Sequence, residues 1–310
     1  MQNTKTLNKK ISMPAFIKLL KNKISTIEIK SEKSFKDLTT FKIGGKIKYL
    51  IEIDSINILL QILEQVKKYN IPYFILGNGS NILASDKVCK ILVLKICLKD
   101  FVVRENKIIC GSGLSLFKLN DIAIQNSLTG LEWSFGIPGT IGGAVKMNAG
   151  SFGGEIKDVV ESVYYTDGFK IYKKQKTSLD FEYRKSFFSN KNFVILKVVL
   201  SLKNGNKNQI KNKCLENYKK RLNLQPYNFP SAGSVFKRPQ NEFAPVLIER
   251  CKLKGLRCGG AEISPKHCGF IVNFNKEATF KQVIKLITKI KKTVLKKFDI
   301  ILVEEIIILR

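Results

Sequence analysis

Residues 136–150, which read GIPGTIGGAVKMNAG, constrain the fold more than any other segment of the chain. They contain five glycines and one proline but also Ile137 and Val145, which is not the composition of a flexible linker. An ordered glycine-rich segment allows the backbone to approach a ligand closely. We therefore expect Gly142 and Gly143 to lie against a flat or phosphorylated cofactor. The alternative is a glycine-rich β-bend under the core.

A second glycine segment, GNGSN at residues 77–81, directly follows the predicted buried strand YFILG at residues 73–77. Backbone N–H groups exposed by glycine, together with Ser and Asn side chains, can hold an anion such as a pyrophosphate. The segment is not a Walker loop, because no Gly-Lys-Ser or Gly-Lys-Thr follows it. An ordinary Asn-Gly turn is the alternative.

The charge of the chain is strongly positive, at +29 over 310 residues, and would suit a nucleic-acid-binding protein. The lysines, however, are spread from end to end and accompany many Asn, Ile and Phe residues, which indicates a general compositional bias. We expect no nucleic-acid partner, and a basic surface also favours an anionic small substrate. A nucleic-acid-binding protein is kept as an alternative, which predicts an affinity that falls steeply with salt.

Composition also bears on size, location and metal binding. A hydrophobic content of 44% is enough for a large core and for two or more domains. No apolar stretch has the length of a membrane helix, and residues 1–25 lack a signal-peptide cleavage site, so we expect a cytoplasmic monomer without membrane insertion. Seven scattered cysteines without paired spacing predict reduced thiols and no metal site.

Hydrophobic periodicity predicts alternating helices and strands along the chain. The main predicted helices cover residues 56–69, 116–126, the region up to about 221, 243–251 and 280–297, and the strands include 90–95, 192–203, 269–273 and 304–309. Residues 203–213 (KNGNKNQIKNK) form the most polar and turn-rich stretch, which predicts a domain boundary. The expected division is 1–88, 89–204 and 205–310.

Seven segments resemble the UDP-N-acetylenolpyruvoylglucosamine reductase family, in the same order and at comparable spacing. They are TTFKIGG (39–45), GNGSN (77–81), GIPGTIGGAVKMNAG (136–150), YRKSFF (183–188), PSAGSVFKRP (230–239), GGAEISPKHCGFIVN (259–273) and FDIILVEEIIIL (298–309). The resemblance implies an α+β fold, with a vanillyl-alcohol-oxidase-type FAD-binding domain of two subdomains followed by a C-terminal α+β substrate domain. It also implies FAD and NADPH as cofactors.

The resemblance assigns the pyrophosphate of FAD to residues 77–81 and the flavin and its phosphates to residues 136–150. The implied FAD contacts are Lys42, Gly77, Asn78, Gly79, Ser80, Asn81, Gly136, Pro138, Gly139, Thr140, Gly142, Gly143, Ala144, Asn148 and Gly150.

The implied reaction reduces an enolpyruvyl ether to a lactyl ether in the synthesis of the peptidoglycan precursor UDP-N-acetylmuramate. NADPH reduces FAD, a hydride passes to the enol β-carbon, and Ser234 matches the family's proton donor to the α-carbon. Arg184 matches the residue that grips the substrate carboxylate. Glu305 matches the carboxyl group that supports the enediolate, which requires a raised pKa, while alternation turns Glu304 to the opposite face. The implied substrate contacts are Tyr183, Lys237 and Arg238.

The chain departs from the family pattern at Ile307, where the family often has a basic residue, and it lacks a tyrosine-bearing loop, as in a shorter subclass. His267 is interpreted as a structural histidine and Ser264 as a turn residue. The sequence leaves two further alternatives open: an FAD-dependent sugar or alcohol oxidase of the same fold, and a hydrolase in which His267 activates Ser234.

Overall fold

Three sheets of three or more strands organise residues 11–310, which are the residues described by this computed structural model. The α-helices are Met13–Lys23, Phe35–Leu38, Ile56–Lys68, Leu116–Gln125, Ile141–Met147, Ile156–Val159, Lys207–Leu224, Ala244–Arg250 and Phe280–Phe298. The strands are Ile47–Ile53, Tyr73–Leu76, Ile82–Ala84, Cys89–Ile96, Phe101–Arg104, Lys107–Gly111, Leu128–Thr129, Gly150–Ser151, Gly154–Glu155, Val160–Thr166, Ile171–Gln175, Val194–Ser201, Lys203–Asn204, Ser231–Ser234, Arg257–Cys258, Ala261–Ile263, Phe270–Asn273 and Ile307–Leu309.

The first sheet is parallel, with Cys89–Ile96 in the centre between Ile47–Ile53 and Tyr73–Leu76. Its strands are rich in Ile, Leu and Val because both faces are covered. The helices Met13–Lys23 and Ile56–Lys68 supply apolar residues to the core on one face, and a second core cluster lies on the other.

The second sheet is antiparallel and contains a hairpin that turns around Asp167 and Gly168. Its strand order is Ile171–Gln175, Val160–Thr166, Val194–Ser201, Lys107–Gly111 and Phe101–Arg104. The helices Leu116–Gln125 and Ile141–Met147 share one core cluster with this sheet. This packing places residues 136–150 beside the sheet.

The third sheet is the antiparallel order Ser231–Ser234, Phe270–Asn273, Ala261–Ile263 and Arg257–Cys258. The amphipathic helix Phe280–Phe298 packs its apolar side against this sheet. The chain then returns to the N-terminal region, where Ile307–Leu309 pairs in parallel with Ile82–Ala84. This return carries Glu305 close to residues 77–81.

The division into three domains stays a prediction, but the sheets bear on its boundaries. A boundary after residue 88 would separate Cys89–Ile96 from the first sheet, in which it is the central strand. We therefore propose that the first boundary follows Ile96.

Residues 203–213, which turn composition marked as a domain boundary, are largely helical from Lys207 onward. Asn206 caps a helix there, since its Oδ1 accepts hydrogen bonds from the N–H groups of Asn208 (3.0 Å) and Gln209 (3.2 Å). The resulting helix, Lys207–Leu224, packs against Leu116–Gln125. We therefore propose that the C-terminal domain begins near residue 225 rather than at 205.

The part of the chain that the structure describes contains no helix both long enough and apolar enough to cross a bilayer.

Candidate active site

A cleft of about 950 Å³ is lined by residues from all three regions of the chain. This volume is near the upper end of the roughly 300–1,000 Å³ typical of ligand sites, which leaves room for a dinucleotide. The predicted site residues that line it are Lys42, Gly77, Asn78, Gly79, Ser80, Asn81, Gly136, Pro138, Gly139, Thr140, Gly142, Gly143, Ala144, Gly150, Tyr183, Arg184, Ser234, Arg238 and Glu305. Asn148 and Lys237 are not among the residues lining it.

The two glycine segments pack directly against each other along this cleft. A Cβ atom added to Gly77 would lie 2.8 Å from Thr140 Oγ1, and Asn78 Nδ2 donates a hydrogen bond to the Pro138 carbonyl at 2.6 Å. Gly79 has a φ of +63°, and a side chain there would collide with the Leu38 carbonyl. The two segments, residues 77–81 and 136–150, therefore form one continuous surface of backbone, which we call the glycine wall.

Residues 141–147 of the second glycine segment form a helix that the sequence analysis did not predict. Thr140 caps it by accepting a hydrogen bond from the Gly143 N–H at 3.3 Å. Two glycines lower helix propensity by about 1 kcal/mol each relative to alanine, but packing against the second sheet outweighs that cost.

Gly142 and Gly143 lack a side chain for different structural reasons. A Cβ atom at Gly142 would lie 2.8 Å from Ser112 Cβ, so the missing side chain there makes room for the protein itself. At Gly143 an added Cβ atom would meet only Thr140 Oγ1, at 3.5 Å. Gly143 is thus the position that leaves open backbone surface in the cleft, as a bound cofactor requires. This open backbone surface fits FAD.

Asn148 is buried and does not reach the cleft. Its Nδ2 donates to Glu155 Oε2 (3.1 Å) and to the Glu182 carbonyl (2.8 Å), and its backbone has a φ of +41° at the end of the helix. The side chain is occupied by these structural contacts, and the cofactor contact at Asn148 stays a prediction that the cleft lining does not support.

At the other end of the cleft, Arg184 and Glu305 form an ion pair although they are 121 residues apart in sequence. Arg184 Nε donates to Glu305 Oε1 at 2.7 Å, and both side chains are largely buried, at 18% and 16% exposure. Arg184 also donates to the carbonyls of Gly150 (3.0 Å) and Asn148 (3.4 Å), which fixes the plane of the guanidinium. The pair is therefore oriented before any ligand binds.

Backbone contacts hold Glu305 in place between two other segments of the site. Its N–H donates to the Val235 carbonyl at 2.8 Å, and Asn81 Nδ2 donates to its carbonyl at 3.0 Å. Glu304 turns the other way and pairs with Lys291 at 2.8 Å, so the predicted alternation is confirmed. The Asn81 side chain is thus bonded to the Glu305 backbone while it also lines the cleft.

Burial raises the pKa of Glu305 above its usual value, although the positive charges of Arg184 and Lys237 act in the opposite direction. The direction agrees with the predicted need for a carboxyl group that can carry a proton. Lys237 acts on this pKa from outside the cleft lining, and its backbone N–H donates to the Val303 carbonyl at 2.9 Å.

Ser234 lies at the end of the strand Ser231–Ser234, opposite Phe270, and lines the cleft. The adjacent Gly233 has a φ of +78°. Within residues 11–310, His267 is not hydrogen-bonded to Ser234. Its Nδ1 instead accepts a hydrogen bond from the Gly269 N–H at 3.2 Å. The geometry therefore does not supply the base that a serine nucleophile needs.

His267 also lines the cleft, but its local contacts are structural. Burial lowers its pKa, which favours the neutral ring. Ser264 Oγ accepts hydrogen bonds from the N–H groups of Lys266 (3.2 Å) and His267 (3.3 Å), so the prediction that Ser264 is a turn residue is confirmed.

The predicted substrate contacts Tyr183 and Arg238 meet at the mouth of the cleft. The Arg238 N–H donates to the Tyr183 hydroxyl at 3.2 Å, and the Arg238 guanidinium lies 4.6 Å from the centre of the Phe243 ring. Both Tyr183 and Phe243 are exposed apolar side chains. This rim offers flat surfaces and one positive charge to a ligand.

Arg221 is a cleft residue that the sequence analysis missed. It is 5% exposed and donates to the carbonyls of Trp133 (3.2 Å) and Phe135 (3.3 Å) and to Ser151 Oγ (3.4 Å). These bonds join the helix Lys207–Leu224 to both ends of the glycine wall. In the sequence, Arg221 is distinguished only by being an arginine directly after two lysines.

Family models match both ends of this cleft. Residues 47–168 match the model of an FAD binding domain, and residues 225–309 match the model of the UDP-N-acetylenolpyruvoylglucosamine reductase C-terminal domain. The chain is thus a flavoprotein oxidoreductase with a vanillyl-alcohol-oxidase-type FAD-binding domain.

Individual relatives narrow this class. The UDP-N-acetylenolpyruvoylglucosamine reductase of Clostridium tetani is 40% identical over 296 residues, which cover 95% of this chain and 96% of that protein. The reductase of Caldanaerobacter subterraneus is 43% identical, over 86% of this chain and 89% of that protein. The crystal structure of the reductase from Thermus caldophilus superimposes with a TM-score of 0.79 at 32% identity, covering 92% of this chain and 100% of that one.

The chain belongs to the UDP-N-acetylenolpyruvoylglucosamine reductase family. The resemblance of the seven sequence segments and the predicted α+β fold class are confirmed.

Proposed function

We propose that this chain reduces UDP-N-acetylglucosamine enolpyruvate to UDP-N-acetylmuramate, with FAD and NADPH, in the synthesis of peptidoglycan precursors. The observation that carries the proposal is the buried Arg184–Glu305 pair, at 2.7 Å, which opens onto the same cleft as Ser234 and the glycine wall. One cleft thus offers a surface for FAD, a carboxylate-binding group and a hydroxyl group that can donate a proton.

The glycine wall holds the cofactor in this proposal. Residues 77–81 and the open surface at Gly143 bind the pyrophosphate and the adjoining part of the flavin through backbone and hydroxyl groups. Bound FAD would supply hydride-transfer chemistry, from NADPH to the enol β-carbon of the substrate, and negative charge would then develop on the α-carbon and the carboxylate.

Arg184 binds the substrate carboxylate and stabilises this charge. Its guanidinium has a planar arrangement of donors that suits a carboxylate. Its Nε already donates to Glu305, and its terminal nitrogens bond to the carbonyls of Gly150 and Asn148. The group is therefore preorganised where the charge develops, which is the most effective form of electrostatic catalysis.

Glu305 carries a proton and donates it as a hydrogen bond to the charged carboxylate of the intermediate. Burial raises its pKa and so favours the neutral form that this role requires. A permanently ionised carboxylate beside the developing charge would oppose the reaction.

Ser234 completes the reaction by protonating the α-carbon. A serine hydroxyl is a weak acid, but a carbanion is basic enough to take its proton. The position of Ser234 at a strand end, fixed by the Val235 N–H bond to the Gly269 carbonyl at 2.8 Å, keeps the hydroxyl at the cleft surface.

Tyr183 and Arg238 contact the UDP-sugar at the mouth of the cleft, and Lys237 adds a positive charge near Glu305. The enzyme acts in this proposal as a cytoplasmic monomer on small-molecule substrates.

The test is a pair of measurements on the purified chain. The proposal predicts a flavin absorption spectrum and NADPH oxidation that depends on the enolpyruvyl nucleotide. A yellow protein that oxidises sugars or alcohols with oxygen, and ignores the enolpyruvyl nucleotide, would identify an oxidase instead. A colourless protein that does not take up FAD would refute both.

A further inference from the structure

Lys146 is a half-buried lysine on the wall of the cleft, within the helix Ile141–Met147. It is not among the residues that the family resemblance or the proposed mechanism uses. Burial lowers the pKa of its ammonium group. A partly desolvated lysine beside a cofactor site requires an explanation.

Among residues 11–310, no Asp or Glu carboxylate lies within ion-pair distance of this ammonium group, and residues 1–10 contain no Asp or Glu. An ammonium ion is strongly hydrated, so removing water from it without an anionic partner costs free energy. An anion from outside the chain would restore the lost interactions.

The helix directs Lys146 toward the open part of the wall. Gly142 and Gly143 lie one turn before Lys146 on the same side of the helix, and helical side chains lean toward the N-terminal end. At Gly143, apart from the neighbouring residues and the backbone of the helix itself, the described residue nearest to an added Cβ is Thr140, whose Oγ1 lies 3.5 Å away. The wall one turn before the lysine is therefore open at Gly143, whereas Ser112 fills the corresponding space at Gly142.

The backbone at Lys146 is fixed independently of its side chain. Its carbonyl accepts hydrogen bonds from Ser186 Oγ at 2.8 Å and from Ser189 Oγ at 3.2 Å. Replacing the side chain should leave these bonds in place, so a substitution reports on the ammonium group.

The anion that Lys146 binds must be one that the glycine wall can hold through neutral hydrogen-bond donors, which leave its negative charge uncompensated. Residues 77–81 and 136–145 contain no Lys or Arg, so their donors are backbone N–H groups, hydroxyls and amides. The other lysines that line the cleft, Lys42 and Lys276, are exposed to solvent, where water screens their charge. Lys146 is thus the better-shielded lysine at the cleft.

We propose that Lys146 binds the pyrophosphate of FAD and neutralises part of its negative charge. The proposal rests on the proposed function, in which this wall holds FAD. It adds a charged contact to a wall whose other donors, in residues 77–81 and 136–145, are neutral.

The test is an FAD titration of flavin-stripped Lys146→Gln, Lys146→Arg and wild-type protein, followed by flavin fluorescence at low and at high salt. Loss of a charge-assisted hydrogen bond predicts a Kd about tenfold to a hundredfold higher for Lys146→Gln at low salt. The difference should shrink at high salt, because the ammonium–phosphate attraction is screened. Lys146→Arg keeps the charge and should recover most of the affinity.

Lys118→Gln is the matched control, since it removes the same charge from an exposed lysine paired with Asp121 at 2.8 Å. Its Kd should equal that of the wild type. Thermal unfolding of each flavin-free variant shows whether the fold is intact.

An Lys146→Gln protein that binds FAD as tightly as the wild type overturns the inference, and so does a weakening that is the same at both salt concentrations or that Lys146→Arg shares. Failure of the wild-type chain to bind FAD is a separate result, because it refutes the proposed function itself.

Discussion

The two ends of the cleft are built in different ways. The glycine wall consists of two segments whose backbones pack together, with Gly77 against Thr140 and Gly142 against Ser112. The reacting end consists of side chains from three distant segments, joined by the bond from Glu305 N–H to the Val235 carbonyl and by the Arg184–Glu305 pair. Changes in the wall should therefore alter cofactor binding or folding, whereas changes at the reacting end should alter the substrate step.

The largest effect is expected from Arg184→Ala, which removes the carboxylate-binding group and leaves Glu305 without its partner. Loss of a preorganised donor to a developing charge typically costs about a hundredfold to a thousandfold in rate. We expect a loss of this size in flavin reoxidation by the enolpyruvyl substrate, followed by stopped-flow absorbance. Reduction of FAD by NADPH should change little, and an equal loss in both steps would contradict the separation of the two ends.

Arg184→Lys is the control for charge. It keeps a cation but not the planar set of donors. Its rate should lie between those of the wild type and Arg184→Ala.

The next effect concerns the pH dependence of the same step. Because burial raises the pKa of Glu305, its neutral form persists to higher pH than for an exposed glutamate. We expect the substrate step to be fastest below that raised pKa and to slow as the pH rises through it. Stopped-flow rates measured across pH should show this falling limb in the wild type.

Glu305→Gln tests the assignment of the limb, since its amide does not ionise. The variant should be slower at the optimum, but its rate should not fall over the same pH range. A falling limb that persists in Glu305→Gln would assign the titration to another group.

The smallest effects are expected from two neighbouring glycines of the wall. Gly142→Ala places a methyl group within 2.9 Å of Ser112 atoms, and such overpacking costs about 1–3 kcal/mol of stability. Gly143→Ala meets no atom outside its own helix closer than 3.5 Å, so the flavin-free protein should be as stable as the wild type or up to about 1 kcal/mol more stable, while FAD binds more weakly.

Urea unfolding of the flavin-free proteins and FAD titrations measure the two quantities. The two variants separate packing within the protein from contact with the cofactor. If Gly143→Ala destabilised the flavin-free protein as much as Gly142→Ala, the open surface at Gly143 would not be a cofactor surface.

Most long elements could be predicted because their patterns are strong and local. The helix Phe280–Phe298 follows from its regular apolar spacing, and Cys89–Ile96 follows from a continuous apolar run. The fold class could also be predicted, because seven segments kept a recognisable order.

Elements decided by tertiary contacts could not be predicted in the same way. The helix Ile141–Met147 forms despite two glycines because it packs against the second sheet. Residues 203–213 have turn composition, but Asn206 caps a helix in the middle of them. Local propensity in both segments points away from the structure that packing and capping select.

Within the candidate site, residue types could be predicted but not their partners. The sequence indicates that Glu305 rather than Glu304 enters the cleft, and the structure agrees. It does not indicate that Asn148 is buried against Glu182, or that Arg221 joins the two ends of the glycine wall. These contacts join positions far apart in the chain, so no local pattern encodes them.

The most direct test of the central claim is a single-turnover measurement on Ser234→Ala. The variant is reduced with NADPH and then mixed with the enolpyruvyl substrate while flavin absorbance is recorded. The account predicts normal reduction and a substrate step slowed about a hundredfold or more, because the proton donor is missing. A substrate step at the wild-type rate, or an equal slowing of both steps, would contradict the role of Ser234 as the acid of the reacting end.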